Sequence, residues 1–227
     1  MSIVYAGAYD AFATNATTDS DWPAAQGSAV TDGALWRNSV STYTFGVYNR
    51  NAGSRGSNDY RCYRSYFPFA LGTESGTVNS AKISIYLDNL GSTTGHRNKV
   101  VLVEATPYQS IGGSVADHGN VFASGTTWHD DISDTVVVNN IEHYHDFTLN
   151  SDGIALVQAA IDSSGIMYVG LVGWYHDFGT NTPSGGGEYT KIKVTYANYL
   201  GTSRDPKLEI TYTGAVADNA TFFGANF

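Results

Sequence analysis

The chain has 227 residues, of which 42% are hydrophobic and 15% are charged, and this composition excludes an intrinsically disordered chain. Its length is ordinary for one large all-β domain, which buries enough surface to fold without a metal or a disulfide. The formal net charge of −9 at pH 7 argues against a nucleic-acid partner, because phosphate backbones are bound by clustered Lys and Arg.

The N-terminal third predicts three strands and a long loop. Residues 3–5 form a short apolar run, and residues 14–33, rich in Thr, Asn, Asp, Ser and Gly, predict an irregular loop. Trp36 and the alternating apolar residues up to position 47 indicate a second strand. Residues 61–69 indicate a third, and Pro68 marks its end or an edge, because proline cannot donate to a central ladder.

The middle of the chain gives the clearest strand patterns. Residues 78–87 alternate strictly between apolar and polar side chains, which predicts a half-buried strand with Ala81, Ile83, Ile85 and Leu87 on its covered face. Residues 99–104 form a continuous apolar run rich in β-branched side chains. Such a run is typical of a strand that is covered on both faces.

The C-terminal part predicts strands on both sides of one helix. Residues 135–138 and 144–149 resume the strand pattern, and three further strands are predicted at 167–174, 189–196 and 207–213. A helix is predicted at about residues 151–162. Ser151 or Asp152 can cap this helix, Ile154, Val157 and Ile161 share one of its faces, and Gly165 is placed to stop it.

These elements predict an all-β fold with about nine or ten strands and one short helix. Strands of this number, with turns at such spacing, fit an antiparallel β-sandwich of the jelly-roll kind. No internal repeat or linker divides the chain. We therefore predict a single β-sandwich domain over residues 1–213, followed by a C-terminal arm over residues 214–227.

Six segments in order carry a resemblance to a known family: Arg64-Ser65-Tyr66-Phe67-Pro68-Phe69, residues 78–86, Thr127-Trp128, and residues 154–161, 165–171 and 206–212. They resemble the DNRLRE-type domain, a β-sandwich of cell-surface proteins, of polysaccharide-active enzymes and of some phage-encoded proteins. The resemblance covers about residues 60–213 and implies the same fold. The family's Asn-Tyr-Gly-containing loop is not evident in Asp19-Ser20-Asp21-Trp22-Pro23, which puts any ligand of that loop in doubt.

Two histidines on a predicted strand are candidates for a metal site or for acid–base catalysis. His143 and His145 are two residues apart, so their rings share a face, and the pair His176-Asp177 in another loop would complete a transition-metal set. The simpler interpretation, which we prefer, is that they are polar residues on a wet strand face. The same histidines with Tyr144 or Tyr175 resemble the acid and base of a polysaccharide lyase. Without paired carboxylates or a nucleophile motif, we predict no enzyme and no metal site.

A calcium site is an alternative use of the acidic loops. Calcium prefers six to eight oxygen ligands, and no EF-hand spacing is present. Asp and Asn in loops also serve turn geometry through side-chain hydrogen bonds. We predict no cofactor, with structural calcium as the alternative. The acidic residues concerned are Asp19, Asp21, Asp130, Asp131 and Asp134.

Aromatic residues on strands and loops suggest a flat platform for sugar rings. The candidates are Trp36, Trp174 and Tyr175, and Tyr196 and Tyr199 are further possible members of the platform. Aromatic faces favour the C–H surfaces of sugars, but an aromatic residue on a strand more often belongs to the core or to a cross-strand pair.

The C-terminal arm carries three phenylalanines, Phe222, Phe223 and Phe227, among small residues. Exposed phenylalanines are a liability in a monomer, so we expect them to pack either on this domain or, preferably, on a neighbouring subunit. Such arms with apolar anchors lock assembling subunits together.

Two functions from different classes follow. The first is a structural protein of a tailed-phage virion, as a capsid decoration, fibre or tail component, with copies of itself and other virion proteins as partners. The second is a carbohydrate-binding module or glycan-receptor-binding domain, with an extracellular location.

The expected localisation follows from the first residues of the chain and from its hydropathy. The first ten residues contain no basic leader, and no run approaches the roughly 18 apolar residues of a membrane helix. We expect no membrane partner, and we expect a protein made in a host cytoplasm and assembled there, unless a leader has been removed. Cys62 is the single cysteine, which excludes an intramolecular disulfide and a Cys/His zinc site of the usual spacing.

Overall fold

The computed structural model describes residues 1–7, 11–19, 22–26, 33–37, 44–51, 53, 58–89, 98–105, 131–139, 142–163, 165–184, 189–197 and 203–213. Twelve strands lie within these residues: β1 (Ser2–Tyr5), β2 (Ala11–Asp19), β3 (Gly33–Arg37), β4 (Thr44–Asn51), β5 (Tyr60–Ala70), β6 (Thr77–Asn89), β7 (Lys99–Glu104), β8 (Val136–Val137), β9 (His143–Thr148), β10 (Ile166–Gly173), β11 (Tyr189–Val194) and β12 (Lys207–Thr213). The helices are α1 (Trp22–Gln26) and α2 (Ser151–Asp162), and the residues Trp174–Phe178 form a π-helical segment.

The strands form one antiparallel network. Its order is β1-β12-β6-β11-β4-β5-β10-β7-β8, with β2 on β5, β3 on β2 and β9 on β6. The described sheet is not closed, and β1 and β8 lie at the two ends of this order. The prediction of a mostly-β, antiparallel fold with one short helix at residues 151–162 is therefore confirmed.

Strand β6 supplies the centre of the core. As predicted, Ala81, Ile83, Ile85 and Leu87 are buried, and they belong to one apolar cluster that includes residues of β5, β7, β10, β11 and β12. Fully burying each of the larger side chains stabilises the fold by about 1.5–3 kcal/mol. Three strands, β12, β9 and β11, pair with β6 antiparallel.

Strand β7 is covered on both faces, as its continuous apolar run predicted. Val100 and Leu102 pack in the main core, whereas Val101 and Val103 pack with Tyr66 in a second cluster on the opposite face. The second cluster matters for the site below because Trp174 and Phe178, at the two ends of the π-helical segment, pack against it.

The prediction of a long loop over residues 14–33 is wrong. β2 continues to Asp19, α1 occupies Trp22–Gln26, and β3 begins at Gly33. The segment is polar in composition, but its first part is a strand that pairs with β3 on one side and with β5 on the other. Pairing with neighbouring strands overrides local propensity there.

Pro68 does not end its strand, since β5 continues to Ala70. The Pro68 carbonyl accepts a hydrogen bond of 2.9 Å from the Gly7 N–H. In an antiparallel strand the N–H and C=O of one residue face the same neighbour, so the missing N–H of Pro68 faces Gly7 and leaves the β10 ladder intact. Proline is tolerated because the β2 ladder on that side ends at Tyr66 and does not reach Pro68.

Helix α2 is capped by Asn150, one residue before the predicted Ser151 or Asp152. The Asn150 Oδ1 accepts from the backbone N–H groups of Asp152 and Gly153, each at 3.0 Å. An asparagine at this position satisfies two donors that the first helical turn leaves open. In the described part of the chain, no helix has the length and apolar character needed to cross a membrane.

Candidate functional site

A fully buried ion pair joins strand β5 to the π-helical segment. Arg64 lies on β5 with Cys62 and Tyr66 on the same face, and Asp177 lies in the π-helical segment. The Arg64 Nε donates to Asp177 Oδ2 and its Nη2 donates to Asp177 Oδ1, both at 2.8 Å. Neither side chain is exposed to solvent. This bidentate geometry is the strongest that a guanidinium and a carboxylate form.

Helix α1 is bound to the same ion pair. Arg64 Nη2 also donates to the Gln26 carbonyl at 2.9 Å, and Gln26 Nε2 donates to the carbonyls of Asp177 at 2.8 Å and His176 at 3.1 Å. The Trp22 indole N–H donates to the His176 carbonyl at 3.1 Å. These bonds place α1 and the π-helical segment side by side over β5, and the five residues are called the clasp below: Trp22, Gln26, Arg64, His176 and Asp177.

The neighbourhood of the clasp is dry and poorly suited to nucleophilic chemistry. Burial raises the pKa of the Cys62 thiol well above its ordinary value, more than the Arg64 charge lowers it. A thiol in that state is a weak nucleophile. The Asp177 carboxylate is bound at both oxygens by Arg64. The arrangement is suited to fixing two short elements on a sheet.

Sequence reasoning missed the clasp. One signal was available, because Arg64 has the same strand parity as Cys62 and Tyr66 and so points to a covered face. An arginine at such a position requires a buried acceptor. The acceptor, Asp177, is 113 residues away in the sequence, and no local pattern connects the two.

The clasp positions two residues of the predicted glycan platform. Trp174 and Tyr175 are consecutive in the π-helical segment, and both are half-buried. Trp174 packs on the second apolar cluster, and the Lys99 ammonium lies 4.9 Å from the centroid of its ring. Tyr175 meets the His176 ring edge-on at 5.0 Å between centroids. Each ring therefore has a defined orientation.

The other platform candidates do not join this pair in the described structure. Tyr196 is a core residue, stacked on Phe67 at 5.9 Å and within 2.8 Å of the Ser65 hydroxyl. Trp36 lies on β3, but its side chain is outside the described residues, as is the whole of Tyr199. The aromatic pair Trp174 and Tyr175 is therefore the part of the predicted platform that can be placed.

The histidines of β9 do not lie on a wet face, which corrects the sequence interpretation. His145 is only 6% exposed and has the parity of the core residue Phe147, and the rings of His143 and His145 stack at 4.4 Å. Burial, with a smaller effect of His143, lowers the pKa of His145 to about 4. Sequence alternation alone cannot tell which face of β9 is covered.

The metal set considered from the sequence is not brought together by the described residues, and Tyr144 is turned away from its neighbouring histidines. Asp177 is bound by Arg64, and among the described residues no group of three or more His, Cys, Asp and Glu side chains is placed to hold a metal ion. Tyr144 points to the face opposite its two histidine neighbours and donates to the Asp205 carbonyl at 2.9 Å. Burial and then Asp205 raise the pKa of Tyr144 to about 12.

The acidic residues proposed as calcium ligands are only partly described. Asp19 ends β2, Asp131 forms an isolated bridge with Val103, and the Asp134 N–H donates to the Thr148 carbonyl. Asp21 and Asp130 lie outside the described residues. The calcium alternative stays a prediction.

Strand β1 presents an apolar edge. Ile3 and Tyr5 are 45% and 43% exposed, and Met1 before them is 80% exposed, whereas Val4 between them packs on the core. Among the described strands, β1 has a ladder only with β12. A strand edge with an exposed apolar row is an interaction surface unless something covers it. The predicted arm residues Phe222, Phe223 and Phe227 lie outside the described residues.

The chain matches no family model and no curated protein. The resemblance to the DNRLRE-type domain therefore stays a prediction.

Proposed function

We propose that this protein is a structural component of a tailed-phage virion, a capsid decoration, fibre or tail component that assembles with copies of itself and with other virion proteins. The observation that carries the proposal is the apolar edge of β1, where Ile3 and Tyr5 are exposed side by side on an end strand of the sheet. A protein that stays solitary normally blunts such an edge with charge, proline or a bulge.

The charge distribution around this edge supports an assembling surface. On β12, Lys207 and Glu209 lie opposite Tyr5 and Ile3, and they pair with each other at 2.8 Å. The charges nearest the apolar row are thus satisfied within the subunit. A neighbour can cover the row without leaving a charge unpaired, which is the usual composition of an interface centre with a polar rim.

The finer fold belongs to the same proposal. We infer a jelly-roll-like β-sandwich of the DNRLRE type, in which the antiparallel sheet folds over its own core. The support is the main apolar cluster, to which strands distant in the sheet order contribute, such as β12 through Leu208 and β7 through Leu102. An experimental structure with the two layers resolved tests this inference.

The oligomeric state of the purified full chain tests the function. Light scattering after size exclusion should give a defined oligomer, and electron micrographs should show regular particles or rods. Deleting residues 214–227 should abolish assembly while the circular dichroism of the β-sheet is retained. A full chain that is monomeric at micromolar concentration would contradict the proposal.

A second candidate, glycan binding, is favoured by the π-helical segment. Such segments are rare and occur frequently at functional sites, and this one holds Trp174 and Tyr175 at fixed orientations. A glycan array should give hits that Tyr175→Ala removes, whereas Tyr189→Ala, at another half-buried tyrosine, should leave them. An array without hits would leave this candidate without support.

A further inference from the structure

The apolar edge of β1 and the beginning of the C-terminal arm lie at the same end of the sheet. Ser2 pairs with Ile210, and β12 continues past this pair to Thr213, three residues beyond Ile210 on the side of Met1. Residues 214–227 therefore begin beside the edge. The 14 residues reach at most about 46–50 Å when extended, which is ample to cross to a neighbouring subunit.

The apolar residues of the arm and of the edge have the same spacing. Ile3 and Tyr5 are exposed at a period of two. Phe223, Ala225 and Phe227 also follow a period of two, and no residue from 219 to 227 has a charged side chain. A segment added as a strand places alternate side chains on one face, so these apolar residues would lie beside the exposed row.

We propose that residues 222–227 of a second copy of this chain add to β1 as an antiparallel strand, with Phe223 and Phe227 beside Ile3 and Tyr5. This inference rests on the proposed assembly function and names the surface that receives the arm. The main chain of the added strand would supply hydrogen bonds to the edge of β1 that has no ladder among the described strands, and Phe223 and Phe227 would cover the apolar row.

The direction of the strands favours a second copy over the chain's own arm. β1 runs antiparallel to β12, so an arm that turned back after Thr213 and passed beyond β1 would run parallel to β1. Parallel pairing is slightly less stable per residue than antiparallel pairing. The arm of another subunit can approach β1 from the other direction and pair antiparallel.

Disulfide trapping in the full chain tests the proposal. Chains with Ile3→Cys and one purification tag are co-expressed with chains that carry another tag and Phe223→Cys, Ala225→Cys or Phe227→Cys, which sample three registers. The matched control replaces Ile3→Cys by Val137→Cys, because Val137 is equally apolar and 43% exposed but lies on β8, at the other end of the sheet order. Cys62 is fully buried and gives little background.

The expected result is about tenfold more mixed-tag dimer on non-reducing gels with Ile3→Cys than with Val137→Cys, since a disulfide needs Cα atoms within about 7 Å. A double variant, Ile3→Cys with Phe223→Cys, should give covalent multimers. Intramolecular disulfides in monomeric chains would overturn the proposal in favour of the chain's own arm. Oligomers without excess trapping at Ile3 would overturn it while leaving the assembly function intact, and a monomeric full chain would overturn both.

Discussion

Two ion-pair sites on the same sheet differ completely in their surroundings. Arg64 and Asp177 are fully buried and joined by two bonds of 2.8 Å. Lys82 lies on an open face, 2.9 Å from Asp146 and 3.4 Å from Glu209, with 34% of its side chain and 53% of that of Asp146 exposed. Both sites join a cation to a carboxylate, but they differ in burial and in the cation, a guanidinium in one and an ammonium in the other.

Burial changes what an ion pair does for the molecule. Removing two charges from water costs several kcal/mol each, and the attraction between them offsets this only when geometry and further hydrogen bonds are complete. The bidentate geometry meets the first condition, and the Gln26 carbonyl supplies the Arg64 guanidinium with a further acceptor. The buried pair therefore specifies where α1 and the π-helical segment lie, whereas the exposed pairs adjust stability slightly and specify little.

The largest effect is expected from breaking the buried pair. Asp177→Ala should lower the free energy of unfolding by about 3–5 kcal/mol, because it leaves the Arg64 guanidinium buried without its carboxylate. Urea denaturation followed by tryptophan fluorescence measures this loss. Asp146→Ala is the matched control on the open face and should cost less than about 1 kcal/mol.

A double variant that removes both charges tests whether the loss of stability comes from the guanidinium left buried without its carboxylate. Arg64→Met with Asp177→Leu removes both charges and should recover most of the loss seen in Asp177→Ala. If Asp177→Ala itself cost no more than Asp146→Ala, the guanidinium would be reaching water and the buried character of the clasp would be refuted.

The next effect concerns a buried titratable group, His145. Its pKa in the fold, about 4, is below the ordinary value of 6.5, so the unfolded chain binds this proton first as the pH falls. The contribution of neutral His145 to the free energy of unfolding is complete above pH 6.5. It is lost as the pH falls from 6.5 to about 4, and the loss reaches about 3 kcal/mol. Urea midpoints at pH 7 and pH 4.5 should differ less in His145→Phe, and an unchanged difference would argue against a buried neutral imidazole.

A smaller effect is expected at the hydrogen bonds that attach α1. Gln26→Leu removes the donor to the carbonyls of His176 and Asp177 and should cost about 2 kcal/mol, since the Asp177 carbonyl is left buried. Gln158→Leu on α2 is the control: the two bonds from its Nε2 lie at an exposed position where water replaces them, and its Oε1 accepts one partly buried bond, from the Val78 N–H. Hydrogen exchange of the α1 amides should accelerate in Gln26→Leu alone; equal exchange in both variants would mean that the clasp does not hold α1.

The smallest effect is expected on the open face. Lys82→Ala should cost less than about 1 kcal/mol, and the loss should vanish in 1 M salt, where the Debye length is about 3 Å. The bond from Lys207 lowers the pKa of Glu209. Burial raises the pKa of Asp146, but the bonds from Ser84 and Lys82 together outweigh it, so the pKa of Asp146 is lowered as well. Their contribution is present at neutral pH and is lost as the pH falls through these lowered values. A loss that persists in high salt would show that Lys82 acts by packing.

The sequence predicted the elements whose pattern is local. The alternation from Ala81 to Leu87 and the continuous run of β7 are periodic signals, and both strands lie where these signals indicate. β2 and α1 were missed because their support is distant: β2 is held by ladders with β3 and β5, and Trp22 by a carbonyl 154 residues away. A polar segment that depends on distant partners is indistinguishable from a loop when read alone.

The candidate site divides in the same way. Trp174 and Tyr175 were identifiable as neighbouring aromatic residues, but the π-helical turn that orients them was not, since it depends on Arg64 binding Asp177. The two histidines of β9 were found, yet their face was assigned wrongly because His145 follows the parity of Phe147 into the core. In each case the sequence identified the residues of interest, but it did not identify the residues that they contact.

The long sequence separation within the clasp also affects how the chain folds while it is being made. Arg64 leaves the ribosome 113 residues before Asp177. At about 5–20 residues per second, this guanidinium stays in water for roughly 6–23 s before its carboxylate is synthesised. The early strands therefore cannot complete their packing as they emerge, and the nascent chain has to postpone closure of that face until residue 178 is free of the tunnel.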